Sequence, residues 1–250
     1  MFTTEHRNYV RDRVLELARA DPRVVAGALT GSTAAGAEDD WSDIDVAFGI
    51  ADGIALDTVL HDWTEALDRE FGVLDHFDLR SGSSIYRVFL LPHGLEIDVS
   101  VTPCQEFGAR GPRFRALFGT THEGATTPQP SASSLVGLGW HHVFHARSSI
   151  ERHKLWQAEY WISEIRDHVL ALACIRLGEN AFYGRGIDLL PAAVTEPLIG
   201  ALVRSLDEPE LRRSLAVATR CLIAELEAYD PMLCARLTPL LQEFGALGAC

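Results

Sequence analysis

The stretch at residues 31–50, GSTAAGAEDDWSDIDVAFGI, decides how this chain folds and where its chemistry lies. It begins with Gly31 and Ser32 and a run of small residues, and it continues into a segment in which acidic and apolar residues alternate. This alternation predicts a β-strand with Asp43 and Asp45 on the same face, about 7 Å apart. Two carboxylates on one face repel each other unless a cation lies between them. The pattern therefore predicts a strand whose aspartates hold positive charge.

A pair of divalent cations meets this requirement. Two carboxylates at this spacing can share two metal ions about 3.5–4 Å apart, and their hard oxygens suit Mg²⁺, which recruits substrate phosphates. The turn at Gly31 and Ser32 offers backbone N–H groups and a hydroxyl to such a phosphate. Downstream, LEIDVSV places Asp98 opposite its apolar neighbours in a further strand. If that strand lies beside the first, three carboxylates converge on one metal–phosphate site.

The elements around this stretch predict two domains. Residues 1–118 combine amphipathic helices with apolar strands, which is typical of a compact α/β unit. The predicted helices and strands of this unit are TTEHRNYVRDRVLELARAD, RVVAGALTG, DIDVAFGI, DTVLHDWTEALDREFG, VLDHFDLR, SIYRVFLLP and LEIDVSVTP. A stretch rich in Gly, Thr, Pro and Ser at 119–134 predicts a linker. Residues 135–250 carry helical patterns only, beginning with the long segment HKLWQAEYWISEIRDHVLALACIRLG, and predict an all-helical domain.

Composition and charge narrow the class of protein. A 250-residue chain with 47% hydrophobic and 23% charged residues is typical of a globular protein that is not a membrane protein. No apolar run reaches the roughly 18–20 residues that a membrane span needs, and the charged N-terminus is unlike a secretory signal, so we expect a cytoplasmic protein. The net charge of −13 disfavours nucleic-acid partners and favours cationic ones. Five scattered cysteines without a CxxC spacing indicate neither a disulfide framework nor a zinc ribbon.

These motifs together resemble a known superfamily. Gly31-Ser32, ten intervening residues, Asp43-Ile44-Asp45 and a later Asp98 in an apolar strand resemble the nucleotidyltransferase signature. More narrowly, they resemble the small bacterial antibiotic nucleotidyltransferases that modify aminoglycosides or lincosamides. The resemblance implies an α/β (α+β) nucleotidyltransferase-like N-terminal domain with a mixed sheet and an all-helical C-terminal domain.

The resemblance also implies roles for these residues. Asp43, Asp45 and Asp98 would be the catalytic and metal-binding carboxylates, with Mg²⁺ as the metal, and Gly31 and Ser32 would bind the phosphates of a nucleoside triphosphate, ATP in the first instance. The reaction would transfer a nucleoside monophosphate to a hydroxyl of a small cationic acceptor such as an aminoglycoside, with release of pyrophosphate.

The helical half carries a second likeness. YWISEIRDHVL followed by YGRGIDLLP is similar in layout to the helical domain of the aminoglycoside 6-adenylyltransferases. The matching basic residues are Arg166 and Arg185, which the resemblance implies face the nucleotide phosphates. The family usually has lysine at the second position, where arginine still binds phosphate with a different geometry.

Several alternatives stay open at this stage. The base that takes the acceptor proton is Asp98, Glu96 or Glu164, and Asp98 can instead complete the metal site. A lincosamide or a protein hydroxyl is an alternative acceptor, and a non-catalytic, antitoxin-like regulator with the same fold is an alternative function. The histidines at 141, 142 and 145 have no further ligand nearby in the sequence, so we interpret them as structural. The nucleotide, the acceptor and the oligomeric state are left open.

Overall fold

The computed structural model describes residues 2–123 and 128–245. The chain forms two compact units, Met1–Thr127 and Pro128–Cys250. Part of the predicted linker, residues 124–127, lies outside the described residues. The described part of that stretch contains the short strand β8 (His122–Glu123) and the start of helix α4 (Ala132–Glu151).

The first unit is a mixed α/β arrangement. Its helices are α1 (Thr4–Ala20), α2 (Gly31–Ala35) and α3 (Leu56–Phe71). Its strands besides β8 are β1 (Val24–Thr30), β2 (Ile44–Ile50), β3 (Asp75–Ser81), β4 (Ser84–Leu90), β5 (Glu96–Pro103), β6 (Gly108–Ala109) and β7 (Phe114–Phe118).

The main sheet has the strand order β3-β4-β5-β2-β1-β7. Strands β2 and β5 are parallel, and the other neighbours in this sheet are antiparallel, so the sheet is mixed as expected. A parallel pair needs a long crossover between its strands, and α3 with the β3–β4 hairpin supplies it here. Strand β2 therefore lies inside the sheet, between β1 and β5.

One face of this sheet is covered by the helices. Val14 of α1 and Trp63 of α3 belong to the same buried cluster as Val46 and Phe48 of β2. The Trp63 ring meets Phe48 edge-on at 5.1 Å, and its indole N–H donates to Asp21 at 2.9 Å. Because side chains alternate along a strand, Asp45 is directed to the other face of the sheet.

The predicted helices and strands of this unit are confirmed, and α3 ends at a left-handed Gly72 as expected. Helix α2 and strands β6, β7 and β8 were not predicted. The short helix α2 follows β1 directly, and β7 pairs with β1 at the edge of the sheet. The segment RFRALF alternates between polar and apolar residues only over RFRA, so its strand signal is weak, and its pairing with β1 defines it as a strand.

The second unit is helical in its described part. Besides α4, its helices are α5 (Leu155–Leu177), α6 (Ala192–Ile199), α7 (Glu208–Tyr229) and α8 (Pro231–Gly245). Helix α5 packs against α4 and α7, and α7 packs against α8. Apolar residues of these helices share one buried cluster, with Ile162, Leu215 and Leu222 fully buried. Within the residues that the structure describes, no helix is both long and apolar enough to cross a bilayer.

Candidate active site

Three carboxylates meet at the point where β2 and β5 begin. The parallel register pairs Asp45 directly with Asp98, and Asp43 precedes the first residue of β2. One carboxylate oxygen of each of these residues lies within 4.8 Å of the other two. The apolar residues between them, such as Ile44 and Ile97, are buried against the helices. Burial of the apolar residues therefore directs the acidic ones onto one patch of the opposite face.

The glycine-serine turn contacts this patch. Gly31 has a φ of +60°, a conformation that favours glycine. A Cβ at this position would lie 1.8 Å from Oδ2 of Asp45, so a side chain there would displace the Asp45 carboxylate. The neighbouring Ser32 has a buried hydroxyl oxygen with no hydrogen-bond partner among the described residues. The turn thus brings bare backbone and an unused hydroxyl to the carboxylates.

The electrostatics of the patch centre on Asp98. Burial raises the pKa of this carboxyl to about 6, and the negative charges of Asp43 and Glu96 add to the shift. Oδ1 of Asp98 is buried and has no hydrogen-bond partner in the described part of the chain. A carboxylate in such surroundings is stabilised by a cation.

The residues of the patch fit a hard divalent cation. Three convergent carboxylates are the donor type that Mg²⁺ prefers. Oδ1 of Asp98, which has no hydrogen-bond partner among the described residues, is available as a ligand atom. The Ser32 hydroxyl and the close approach allowed by Gly31 fit a phosphate group beside the metal. Chemically, the arrangement can hold a metal-bound polyphosphate.

The loop that leads into Asp43 is held in place by a buried arginine. The guanidinium of Arg7, which is 2% exposed, donates to the backbone oxygens of Asp39 and Ser42. Asp39 accepts hydrogen bonds from the loop itself, and Asp40 accepts from Thr4 at 2.8 Å. These two aspartates therefore serve the loop and lie outside the three-carboxylate group.

Further polar residues on the same face of the sheet as Asp98 were not predicted from the sequence. Ser100 lies two residues after Asp98 on the same face and pairs with Tyr86 of β4. Arg110 donates to the Tyr86 hydroxyl at 3.3 Å and to the Ser84 hydroxyl at 2.8 Å. Ser100 could have been found from the sequence, because it has the same parity as Asp98 within the strand. Nothing in the sequence around Arg110 indicates that it reaches this face.

The remaining predicted residues lie outside the three-carboxylate group. Glu96 is exposed at the start of β5. Arg166 lies on α5 and forms an ion pair with its neighbour Asp167 at 3.0 Å, and the exposed Arg185 has its guanidinium over the Tyr183 ring. Both arginines belong to the second unit, and their contact with a nucleotide stays a prediction. Glu164 also lies on α5, where its carboxylate is 3.9 Å from the His168 ring.

Comparisons with known proteins give distant likenesses. No family model matches the sequence, and no curated protein matches it. The chain is similar to the structure of an aminoglycoside 6-adenyltransferase from Bacillus subtilis, with 14% identity, a TM-score of 0.39 and coverage of 93% of this chain and 96% of that one. It is also similar to the polymerase core of TRAMP, an RNA surveillance complex, with 14% identity, a TM-score of 0.33 and coverage of 90% and 56%. Similarity at this level identifies neither a family nor a substrate.

Proposed function

We propose that this protein is a Mg²⁺-dependent nucleotidyltransferase. It transfers AMP from ATP to a hydroxyl of a small cationic acceptor, such as an aminoglycoside, and releases pyrophosphate. The observation that carries the proposal is the convergence of Asp43, Asp45 and Asp98 next to the Gly31-Ser32 turn. A net charge of −13 supports a cationic small molecule over a nucleic acid as the acceptor. The use of ATP favours a cytoplasmic location.

Each residue of the patch has a task in this reaction. Asp43 and Asp45 hold the metal, which when bound neutralises the charge that develops on the transferring phosphate. Asp98 either completes the metal site or takes the acceptor proton. Gly31 leaves room for a phosphate to approach the backbone, and the Ser32 hydroxyl donates a hydrogen bond to a phosphate oxygen. The resemblance assigns Arg166 and Arg185 to the nucleotide phosphates as well.

The chemical step is an in-line displacement. The acceptor oxygen bonds to the α-phosphorus, the bond from the α-phosphorus to the bridging oxygen breaks, and pyrophosphate leaves with that oxygen. The acceptor proton passes to a carboxylate and from there to solvent. If Asp98 is not a metal ligand, it is the strongest candidate base, because burial raises the pKa of its carboxyl towards neutrality. Glu96 and Glu164 are the alternatives.

The test is incubation with labelled ATP, MgCl₂ and a panel of aminoglycosides and lincosamides, with pyrophosphate release as the readout. We expect label on one acceptor and a loss of at least about 100-fold in kcat for Asp45→Asn. The matched control is Asp40→Asn, because Asp40 is a nearby aspartate that accepts a hydrogen bond from Thr4 and lies outside the three-carboxylate group. It should keep full activity.

Other outcomes select the alternatives. Label on the protein itself would identify a protein hydroxyl as the acceptor. Binding of Mg²⁺-ATP without pyrophosphate release for any acceptor would indicate a non-catalytic regulator. Binding of Mg²⁺-ATP that is unchanged in Asp45→Asn would exclude the metal assignment.

A further inference from the structure

A second cluster of ligand-type side chains lies in the helical unit. His142 projects from α4, and Glu164 and His168 project from α5. One ring nitrogen of each histidine and one carboxylate oxygen of Glu164 lie within 4.8 Å of one another. Glu164 and His168 are four residues apart, a spacing that places both on one face of a helix. The sequence near His142 offers no further ligand, but the packing of α4 against α5 brings Glu164 and His168 close to it.

The cluster contains buried polar atoms that lack partners. His142 is only 6% exposed, and its Nδ1 has no hydrogen-bond partner within the described residues. Nε2 of His168 is likewise buried and unpartnered there. Leaving a buried polar atom unsatisfied costs about 1–3 kcal/mol. Nε2 of His168 lies 3.9 Å from the Glu164 carboxylate, and a ring nitrogen of His142 lies within 4.8 Å of the same residue, so one bound cation can serve all three residues.

The neighbours of the cluster do not supply that partner. His141 and His145 share a hydrogen bond of 2.9 Å with each other, and the His145 ring stacks on Trp161. The Trp161 indole, whose centroid lies 4.7 Å from that of His142, does not supply it either, because its buried N–H has no hydrogen-bond partner among the described residues. Asp167 is exposed, and its carboxylate is paired with Arg166. Burial lowers the pKa of His142 to about 4, so at neutral pH its ring is uncharged and has a free lone pair.

We propose that His142, Glu164 and His168 form a binding site for a zinc-class divalent cation, distinct from the three-aspartate site. Two imidazoles and a carboxylate are a donor set that Zn²⁺ takes with bonds of about 2.0–2.2 Å, and three protein ligands leave a fourth position for water or another ligand. Nitrogen donors favour borderline metals, whereas the all-carboxylate set favours Mg²⁺. The ion links α4 to α5 and satisfies the buried ring nitrogens.

Zinc titration of the full-length protein without nucleotide tests this site. The double variant Asp43→Asn/Asp45→Asn and an excess of Mg²⁺ remove zinc binding at the carboxylate patch, so the result is independent of the proposed transferase activity. We expect one Zn²⁺ per chain by calorimetry, a higher Tm with zinc, and two imidazole ligands by X-ray absorption. His142→Gln, Glu164→Gln and His168→Gln should each weaken zinc binding by at least 10-fold.

The matched control is His141→Asn, which changes an exposed histidine one residue from the cluster and should leave zinc affinity unchanged. The proposal is overturned if the double variant binds no zinc, or if zinc affinity survives in His142→Gln and His168→Gln. If those variants fail to fold, X-ray absorption spectra of the zinc-loaded double variant test the proposal instead. Fewer than two imidazole ligands around the zinc would contradict it. Equal Tm with and without zinc would also count against it and would leave water as the partner of the ring nitrogens.

Discussion

At the scale of single residues, the candidate active site depends on a close approach between Gly31 and Asp45. The absence of a side chain at Gly31 leaves space for the Asp45 carboxylate, and the positive φ at this position favours glycine independently. Gly36 also has a positive φ, of 65°, but a Cβ there would meet nothing within 4 Å. A side chain at either glycine would strain the backbone, but only a side chain at Gly31 would also collide with the site.

Substitution of these glycines gives the first prediction. Gly31→Ala and Gly36→Ala should each lower the free energy of unfolding by about 1–2 kcal/mol, because alanine is strained in the left-handed region. Only Gly31→Ala should also lose Mg²⁺-ATP binding, by at least about 10-fold, since its methyl group displaces Asp45. Calorimetric titration alongside chemical unfolding measures both effects. Equal nucleotide binding by the two variants would contradict the contact.

The second prediction concerns Asp98, whose pKa rises from 3.8 to about 6 on folding. Above pH 6 the folded protein holds a charge that its surroundings disfavour, whereas below about pH 4 the carboxyl is neutral in both states. Asp98→Asn should therefore stabilise the metal-free protein at pH 7.5, with the advantage disappearing as the pH falls from 6 to 4. The full shift is worth about 3 kcal/mol, which solvent screening reduces to about 1–2 kcal/mol.

Thermal unfolding in EDTA across this pH range measures the effect. Asp40→Asn is the control, because it removes a loop carboxylate outside the patch. Adding Mg²⁺ should reverse the order, since only the parent protein then gains a metal ligand from position 98. A Tm for Asp98→Asn below that of the parent in EDTA would mean that the carboxylate stabilises the fold without a cation.

At the scale of secondary-structure elements, an ion pair between a buried glutamate and an exposed arginine joins two helices of the second unit. Arg176 of α5 makes two hydrogen bonds, of 2.9 and 2.7 Å, to the carboxylate of Glu225 on α7. Glu225 is only 8% exposed, so its charge depends on this partner. A bidentate pair of this kind fixes the relative position of the helices as well as their charge.

The third prediction compares this pair with an exposed one. Arg176→Gln should lower the free energy of unfolding by about 1–3 kcal/mol, because it leaves the buried Glu225 carboxylate unpaired. Arg80→Gln breaks the ion pair with Asp57, in which both side chains are 62% exposed, and should cost less than about 1 kcal/mol. Urea unfolding of both variants tests the difference. Similar losses would mean that burial does not govern the strength of these pairs.

At the scale of the whole molecule, the acidic excess bears on the acceptor. A net charge of −13 attracts small cations and repels polyanions over distances set by the ionic strength. The Debye length shortens from about 30 Å at 0.01 M salt to about 10 Å at 0.1 M. A cationic acceptor should therefore bind more weakly as salt rises.

The fourth prediction is that KM for a cationic acceptor rises several-fold between 20 and 200 mM KCl, while kcat changes little. Long-range attraction contributes to encounter and binding, and added salt screens it. Initial rates at saturating Mg²⁺-ATP and varied acceptor measure kcat and KM for the acceptor. KM for the anionic nucleotide, measured at saturating acceptor, is the internal control and should not rise. A KM for the acceptor that is independent of salt would argue against a cationic substrate.

Most of the secondary structure of this chain follows from local patterns. The alternation around Asp45 and in LEIDVSV predicts β2 and β5, and the turn glycine at position 72 predicts the end of α3, because strand periodicity and helix termination are local properties. Strand β7 is less evident from its local pattern, since RFRALF alternates over only four residues and its pairing with β1 defines it as a strand. The three aspartates were likewise identified as candidates by their residue type and their parity within strands.

What the sequence by itself determined is therefore the identity of the elements and of the acidic positions. Only the tertiary structure decided that β5 lies beside β2 with Asp98 opposite Asp45, and that Glu164 and His168 meet His142. The physical reason is the same in both cases. Contacts between distant residues are set by how buried apolar faces pack together, in one case Ile44 and Ile97 against the helices and in the other α4 against α5. The polar residues are then brought together by that packing.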